Sequence, residues 1–328
     1  MNKIDLSNKV VLISRTDSIG DVVLSLPICG WIKEQFPTAK IIFIGKGYTV
    51  DVLRCYPAID QIVTLENITE SASPVHFLEE LKGDVFIHVF PNKYLAKIAK
   101  KARIPFRIGT SHRLFHWLTC SHQLNFTRKK SELHESQLNF ELLRPLGLNH
   151  IPKMETINQY IATFHAKSDI STFLQQYADR KEQKIILHCR SKGSAVEWPL
   201  HKYVQLAEEL ATNGALVFFS GTEEEGVSFR NLLPNHPSII DLSGQSTLAE
   251  LITFISLCDA LVACSTGPLH ISGALNRKTI GLFANLRPMH PGRWSPLGRM
   301  STTLVANSTD PNLSDIGKIT VNQVIEKL

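Results

Sequence analysis

The chain has 328 residues, of which 43% are hydrophobic and 20% charged. That balance belongs to an ordinary globular protein and excludes a disordered or fibrous one. A formal net charge of +5 and a sequence pI near 8.8 favour anionic ligands or an anionic membrane surface, yet fall short of a nucleic-acid binder's imbalance.

The length suits two domains of about 150 residues each. Six cysteines, at 29, 55, 120, 189, 258 and 264, are scattered with no CxxC pair and no zinc-like spacing. Cys189, Cys258 and Cys264 lie in apolar runs and read as buried thiols of a reducing compartment. Residues 1–9 carry Asp5 before a short apolar run, the wrong pattern for a signal peptide. The most apolar long stretch, 248–264, contains Glu250 and Asp259 and is unsuited to a bilayer. A cytoplasmic protein is expected.

The first strand spans residues 10–14, four adjacent apolar residues buried on both faces as in a parallel sheet. Apolar residues at Ile19, Val22, Val23 and Leu26 then recur at helical spacing, so a polar loop and a helix follow. Asp21 falls in the first turn of that helix, at the strand's carboxyl end, where open α/β sheets bind ligands. It reads either as a helix-start carboxylate stabilised by the macrodipole or as a general base.

Further strands are expected at 40–45, 62–65 and 84–90, with helices at 48–55, 76–82 and 94–101. Such alternation predicts a parallel, doubly wound domain. From 103 to 130 no clear period survives. Arg103, Arg107, Arg113, Arg128, Lys129 and Lys130 are interleaved there with His112, His116, His122, Phe106, Phe115 and Trp117. This is either a basic surface loop over packed aromatics or a site for an anionic acceptor, since arginine forks pair with phosphate or carboxylate. A helix at 133–146 ends at Gly147, residues 149–153 make the linker, and a helix over 163–177 leads into the second half.

That half repeats the design, with strands at 184–189, 215–220, 239–240, 260–264 and 279–283 separated by helices at 202–212, 223–233, 247–257 and 268–275. Three loops follow strands and carry chemistry. Ser265 and Thr266 offer an N-cap, Gly267 admits a ligand close to the backbone, and Pro268 suits a first helical position. Free N–H groups there make a site for a diphosphate, or simply a capped helix. His270, one turn in, points at a ligand or into the core. Glu223, Glu224 and Glu225 open a helix, as ordinary caps or as a carboxylate for ribose hydroxyls. Arg190 and Lys192 flank a glycine-bearing loop that could neutralise phosphates, while Trp198-Pro199 reads equally as packing at a helix start.

RTDSIGDVVLSLP (15–27), the EWP element (197–199), DLSGQSTLAELITFISLCDALVACSTGPLHISGAL (241–275) and GLFANLRPMHPGRWSPLG (281–298) together resemble glycosyltransferase family nine, the ADP-heptose:lipopolysaccharide heptosyltransferases. The resemblance covers nearly the whole chain in order, and it implies a GT-B fold of two Rossmann-like domains facing a central cleft. On that basis an acceptor domain is expected at 1–155 and a nucleotide-sugar domain at 156–328, whose last helix may return to the first domain.

The resemblance further implies an inverting, metal-independent transfer without a cofactor, in which a nucleotide sugar, ADP-linked in the family, is a substrate. Asp21 would be the general base. Thr266, Gly267 and Leu269 would take the diphosphate on their backbone with His270 alongside, and Glu225 or else Glu223 the ribose. Arg107, Arg113 and Arg128 would meet a lipid-linked or lipopolysaccharide-type acceptor, with peripheral contact at the inner membrane and no nucleic acid. The chain departs from the family at Ser265, where an aspartate that would hold sugar hydroxyls is common, and at Val196, where a lysine is common. Arg190 or Lys192 would supply the absent cation. A nucleotide-sugar epimerase of the same fold and a non-catalytic saccharide-binding relative are the alternatives.

Overall fold

The computed structural model describes residues 3–128, 131–287, 289–306 and 316–328. The chain divides into two compact units, Met1–Thr163 and Phe164–Leu328. Each is built on its own parallel sheet of six strands.

In the first unit the strands are β1 (Val10–Ser14), β2 (Lys40–Gly45), β3 (Gln61–Thr64), β4 (Val85–His88), β5 (Phe106–Thr110) and β6 (His122–Leu124). They lie in the order β3-β2-β1-β4-β5-β6, and Val11 of β1 pairs with Ile41 on one side and Val85 on the other. The second unit holds β7 (Lys184–His188), β8 (Leu216–Phe219), β9 (Ile239–Asp241), β10 (Ala260–Cys264), β11 (Lys278–Phe283) and β12 (Ser301–Val305), in the order β12-β11-β10-β7-β8-β9. Counted within each unit, both orders are 3-2-1-4-5-6. The winding therefore reverses between β1 and β4 and again between β7 and β10, and such reversals open a crevice at the carboxyl ends of the strands.

Covered on both faces, the central strands are apolar throughout. Val11, Leu12 and Ile13 are fully buried, as are Ile185, Ile186 and Leu187. In the first unit Leu12, Ile42, Phe86, Leu95 and Ile98 form one core. In the second, Trp198 packs with Leu187, Tyr203, Phe219 and Val262 and donates its Nε1–H to the Ile319 carbonyl at 3.0 Å. Close backbone approach also shapes that unit: a Cβ at Gly273 would fall on the carbonyl oxygen of Leu297, so the helix Gly267–Ala274 and the segment behind it meet main chain to main chain. No helix among the described residues is long and apolar enough to cross a membrane.

Some expected elements change. Residues 103–130, expected to be without regular structure, contain β5, the helix Leu114–Thr119 and β6. These are short elements with few consecutive buried residues, so no period emerges. The division between units falls after Thr163 rather than at 155, because the helix Met154–Ile161 packs on Pro27–Gln35 and Tyr56 donates its hydroxyl to the Tyr160 carbonyl at 2.8 Å. The helix expected over 163–177 is confined to Thr172–Ala178. The last helix, Val321–Ile325, packs on Leu200–Thr212, with Val321 and Val324 in the second unit's own core. Strand β12 and the helix Pro291–Trp294 had no long apolar run to announce them: β12 is half-buried along its length, with Thr302 exposed.

His88, at the end of β4, is buried and stacks on Phe86 with ring centroids 4.2 Å apart. Neither of its ring nitrogens has a hydrogen-bond partner among the described residues. Burial, reinforced by His116 and Arg107, holds it well below the ordinary histidine value of 6.5. Below that value the unfolded chain binds a proton that the folded chain refuses, so stability falls by about 1.4 kcal/mol per pH unit for such a group. The melting temperature should therefore drop as the pH is lowered from about 7 to 5, and His88→Leu should flatten the decline. Identical pH profiles for the two proteins would assign the loss to other groups.

Candidate active site

In the first unit, β1 ends at Ser14 and the chain turns through residues 15–18 into the helix Ile19–Ser25, with Ser18 as N-cap and Asp21 in the first turn. This loop leaves the central strand beside the reversal, next to the loop after β4, where Val89 N–H donates to the Ser14 carbonyl at 3.0 Å. Arg15 organises it. Although only 3% exposed, Arg15 donates Nε–H to Asp17 Oδ1 at 2.7 Å, Nη1–H to Glu135 Oε1 at 3.1 Å and Nη2–H to Asp21 Oδ1. The other oxygen of Asp21 accepts from the Ser18 hydroxyl, and the Tyr48 hydroxyl donates to the Asp17 carbonyl.

Behind this group, fully buried Glu135 also accepts from Arg128 Nε at 2.9 Å. Asn139 accepts from Arg128 Nη2 at 3.0 Å and donates to the Leu24 carbonyl at 3.2 Å. Burial alone would favour loss of the Arg15 proton, but Asp21, Asp17 and Glu135 outweigh it and hold the guanidinium charged. Asp17 moves the other way. Burial, opposed by Arg15 and reinforced by Asp21, pushes its carboxyl up to about 6. Two guanidinium groups, Arg15 and Arg128, thus meet three carboxylates, Asp17, Asp21 and Glu135, with Glu135 shared between them.

The three arginines expected at an acceptor do not converge. Arg107 is the second residue of β5, at the amino end of its strand and so at the sheet edge opposite Asp21. Its guanidinium donates to the carbonyls of Thr119 at 2.6 Å, Ile104 and Pro105, binding the loop around it. Arg128 reaches the correct edge but is committed to Glu135, Asn139 and the Val89 carbonyl. Arg113 alone of the three is exposed, in the loop past the carboxyl end of β5, as N-cap of Leu114–Thr119. Lys129 and Lys130 lie outside the described residues.

The second-unit residues expected at a nucleotide sugar do lie together, because they follow three adjacent strands at one edge. Arg190 and Lys192 follow β7, Glu225 follows β8, and Ser265, Thr266 and Gly267 follow β10, across the reversal from β7. Thr266 is the N-cap of Gly267–Ala274, with Pro268 second in the helix rather than first. Its Oγ1 makes no capping bond and is buried with no hydrogen-bond partner among the described residues. The amides of Gly267 and Leu269 belong to the first turn, where no intrahelical acceptor exists, and they face this edge. Leu269 and His270 are buried.

The cations here are restrained. Arg190 donates to the Ser228 hydroxyl at 2.9 Å and to Glu197 at 3.1 Å, and Glu197 in turn accepts from the Ser191 amide at 2.7 Å. Lys192 is exposed and pairs with Glu224 at 3.3 Å. Of the acids, Glu223 is held bidentately by Arg230 at 2.8 and 2.9 Å. Glu225 closes a capping box with Thr222 through one oxygen and, unlike Glu223, is not held bidentately by an arginine. Trp198 packs in the core rather than lining the loop. No group of three or more His, Cys, Asp or Glu among the described residues is arranged to hold a metal ion.

Sequence reasoning missed Arg15, Asp17, Glu135 and Asn139. An arginine at the end of a buried strand was a signal of sorts. Its partners lie as far as 124 residues away, and no local pattern points to them.

The model of glycosyltransferase family 9 (heptosyltransferase) matches residues 84–319. Lipooligosaccharide heptosyltransferase 2 of Haemophilus influenzae is 26% identical over 313 residues, covering 90% of this chain and 88% of its own. Among solved structures, the glycosyl transferase family 9 protein of Veillonella parvula superposes with a TM-score of 0.80 at 18% identity, covering 99% of this chain and 98% of its own. ADP-heptose lps heptosyltransferase II of E. coli gives 0.75 at 19%, covering 97% of each. The fold is thus the α/β, GT-B-like fold of heptosyltransferases. With most of its length matched by the family model, its two like-wound sheets and its glycine turn after β10, the chain belongs to glycosyltransferase family 9, the heptosyltransferases, and is a glycosyltransferase.

Proposed function

We propose that the chain transfers a sugar, with inversion and without a metal ion, from a nucleoside-diphosphate sugar to a hydroxyl of a lipopolysaccharide-core or related surface-saccharide acceptor. ADP-heptose is the first donor to test, because the relatives include an ADP-heptose lps heptosyltransferase. The observation that carries the reading is Asp21: a carboxylate in the first turn at the carboxyl edge of the central strand, oriented by Arg15 and Ser18.

In this mechanism Asp21 takes the proton of the acceptor hydroxyl while that oxygen bonds to the anomeric carbon. The bond from that carbon to the diphosphate oxygen breaks, and the leaving diphosphate is stabilised by the amides of Gly267 and Leu269, by the helix dipole and by Arg190 or Lys192. Glu225 takes the ribose and Arg113 an anionic group of the acceptor. An epimerase would turn over a nucleotide sugar without acceptor, and a non-catalytic relative would not turn over at all, so one assay with and without acceptor separates the three.

Three outcomes are expected. With EDTA present, the wild type turns over, and Asp21→Asn cuts turnover by at least about a hundredfold while donor binding stays within about twofold. Equal loss of donor affinity would make Asp21 structural. Arg113→Ala raises the acceptor KM and spares the donor's, whereas Arg107→Ala lowers the melting temperature and leaves the acceptor KM unchanged; the reverse pattern would reinstate Arg107. Finally, Ser265→Asp adds a charged, bidentate acceptor to the sugar pocket. It should raise the kcat/KM ratio for ADP-heptose over the best alternative donor by about tenfold, or roughly 1.4 kcal/mol. No change would show that position 265 does not read the sugar.

A further inference from the structure

Residues 85–131 contain ten lysines and arginines and not one aspartate or glutamate. The fold gathers part of this charge on one surface of the first unit. The helix Lys93–Lys101 buries Leu95, Ala96, Ile98 and Ala99 and turns Lys93, Lys97, Lys100 and Lys101 outward. Beside it packs Leu114–Thr119, joined to it by a bond from Lys100 Nζ to the Leu118 carbonyl at 2.8 Å.

That second helix inverts the usual arrangement. It buries His116 and Thr119 but exposes Leu114 at 83%, Leu118 at 71% and Trp117 at 61%. The spacing of 114, 117 and 118 puts the three on one face. Trp117 already donates its indole N–H to the Ser111 carbonyl at 2.9 Å, so what it presents to the outside is hydrocarbon. A short apolar ridge flanked by a row of lysines, with no acid in the segment, has the composition of a surface that settles into an anionic lipid interface.

We propose that this surface docks the first unit onto an anionic bilayer, with Leu114, Trp117 and Leu118 entering the boundary between headgroups and acyl chains and the lysines of 93–101 meeting lipid phosphates. A single exposed helix turn is too small for a stable protein interface, while a bilayer lets the whole lysine row contribute. The surface begins at Lys93 and Arg113, past the ends of β4 and β5, the same sheet edge that carries Asp21. The inference rests on the reading of a lipid-linked acceptor, whose saccharide would project from the membrane toward that edge.

The test is co-sedimentation of the full chain with vesicles of phosphatidylcholine containing about one third phosphatidylglycerol, or none, without donor or acceptor. Tryptophan emission gives a second readout: Trp31 and Trp198 are buried, Trp294 is half-buried in the second unit, and Trp117→Phe should remove the shift if Trp117 is the reporter. Binding should require the anionic lipid, shift the emission to the blue and weaken as salt is raised. Leu114→Ser with Leu118→Ser should reduce partitioning by about tenfold at unchanged melting temperature, and Lys93→Glu with Lys97→Glu by a similar factor.

No binding to anionic vesicles, equal binding to neutral ones, or binding indifferent to both double variants would overturn the proposal. So would dissociation of a self-associated wild type by the leucine variant, which would make the ridge an interface between copies. Vesicle binding without turnover on any lipid-linked acceptor would sink the acceptor reading and leave the docking surface standing. Turnover on detergent-dispersed acceptor without vesicle binding would do the opposite.

Discussion

Two parallel strands cannot be joined by a tight turn. Each must be followed by a crossing over one face of the sheet, so every chain segment that leaves a strand departs from the same edge. With six parallel strands in each unit, this collects six loops at one edge, and the reversal of winding holds two of them apart beside the central strand. The grouping of Arg190, Glu225 and Thr266 follows from that constraint alone. So does the separation of Arg107 from Asp21: one lies near the start of strand β5 at the amino edge of the sheet, the other in the helix that leaves β1 at the carboxyl edge.

Within the first unit's edge, the order of the loop depends on a guanidinium withdrawn from water. A buried arginine is tolerated only where carboxylates and hydrogen-bond acceptors replace its solvation. Arg15 obtains them from Asp17 and Asp21 in its own loop and from Glu135 and Asn139 on a distant helix. The network therefore does two things. It anchors the helix Glu135–Phe140 to the end of β1, and it restricts the rotamers of Asp21 through a donor that cannot swing away. Arg128, which residue type alone would assign to an external anion, neutralises Glu135 within the same network.

Charge also separates across the first unit. The segment from β4 to β6 carries cations only, while the carboxylates of the loop after β1 are turned inward onto Arg15. Neighbouring lysines on a helix face repel one another, and of this row Lys100 is tied back to the unit, through the Leu118 carbonyl. The leucines and tryptophan beside them are unused by the core. Such residues bear on what the surface meets rather than on what holds the unit together.

By itself, the amino-acid sequence determined the fold class, the two-unit plan, the apolar central strands and the glycine turn after β10, because each depends on residues adjacent along the chain. It also singled out Asp21 and the loops after β7, β8 and β10, whose positions follow from a strand passing directly into a helix. The short strands of 103–130, the edge strand β12 and the boundary after Thr163 were hidden, since half-buried residues on outer elements carry no strong period. Only the tertiary structure decided which charges are spent inside: Arg107 on backbone carbonyls, Arg128 and Glu135 on Arg15's network, Glu223 on Arg230. Pairing between residues far apart in sequence depends on which strand ends meet at one edge, and that is a property of the folded sheets rather than of any local run of residues.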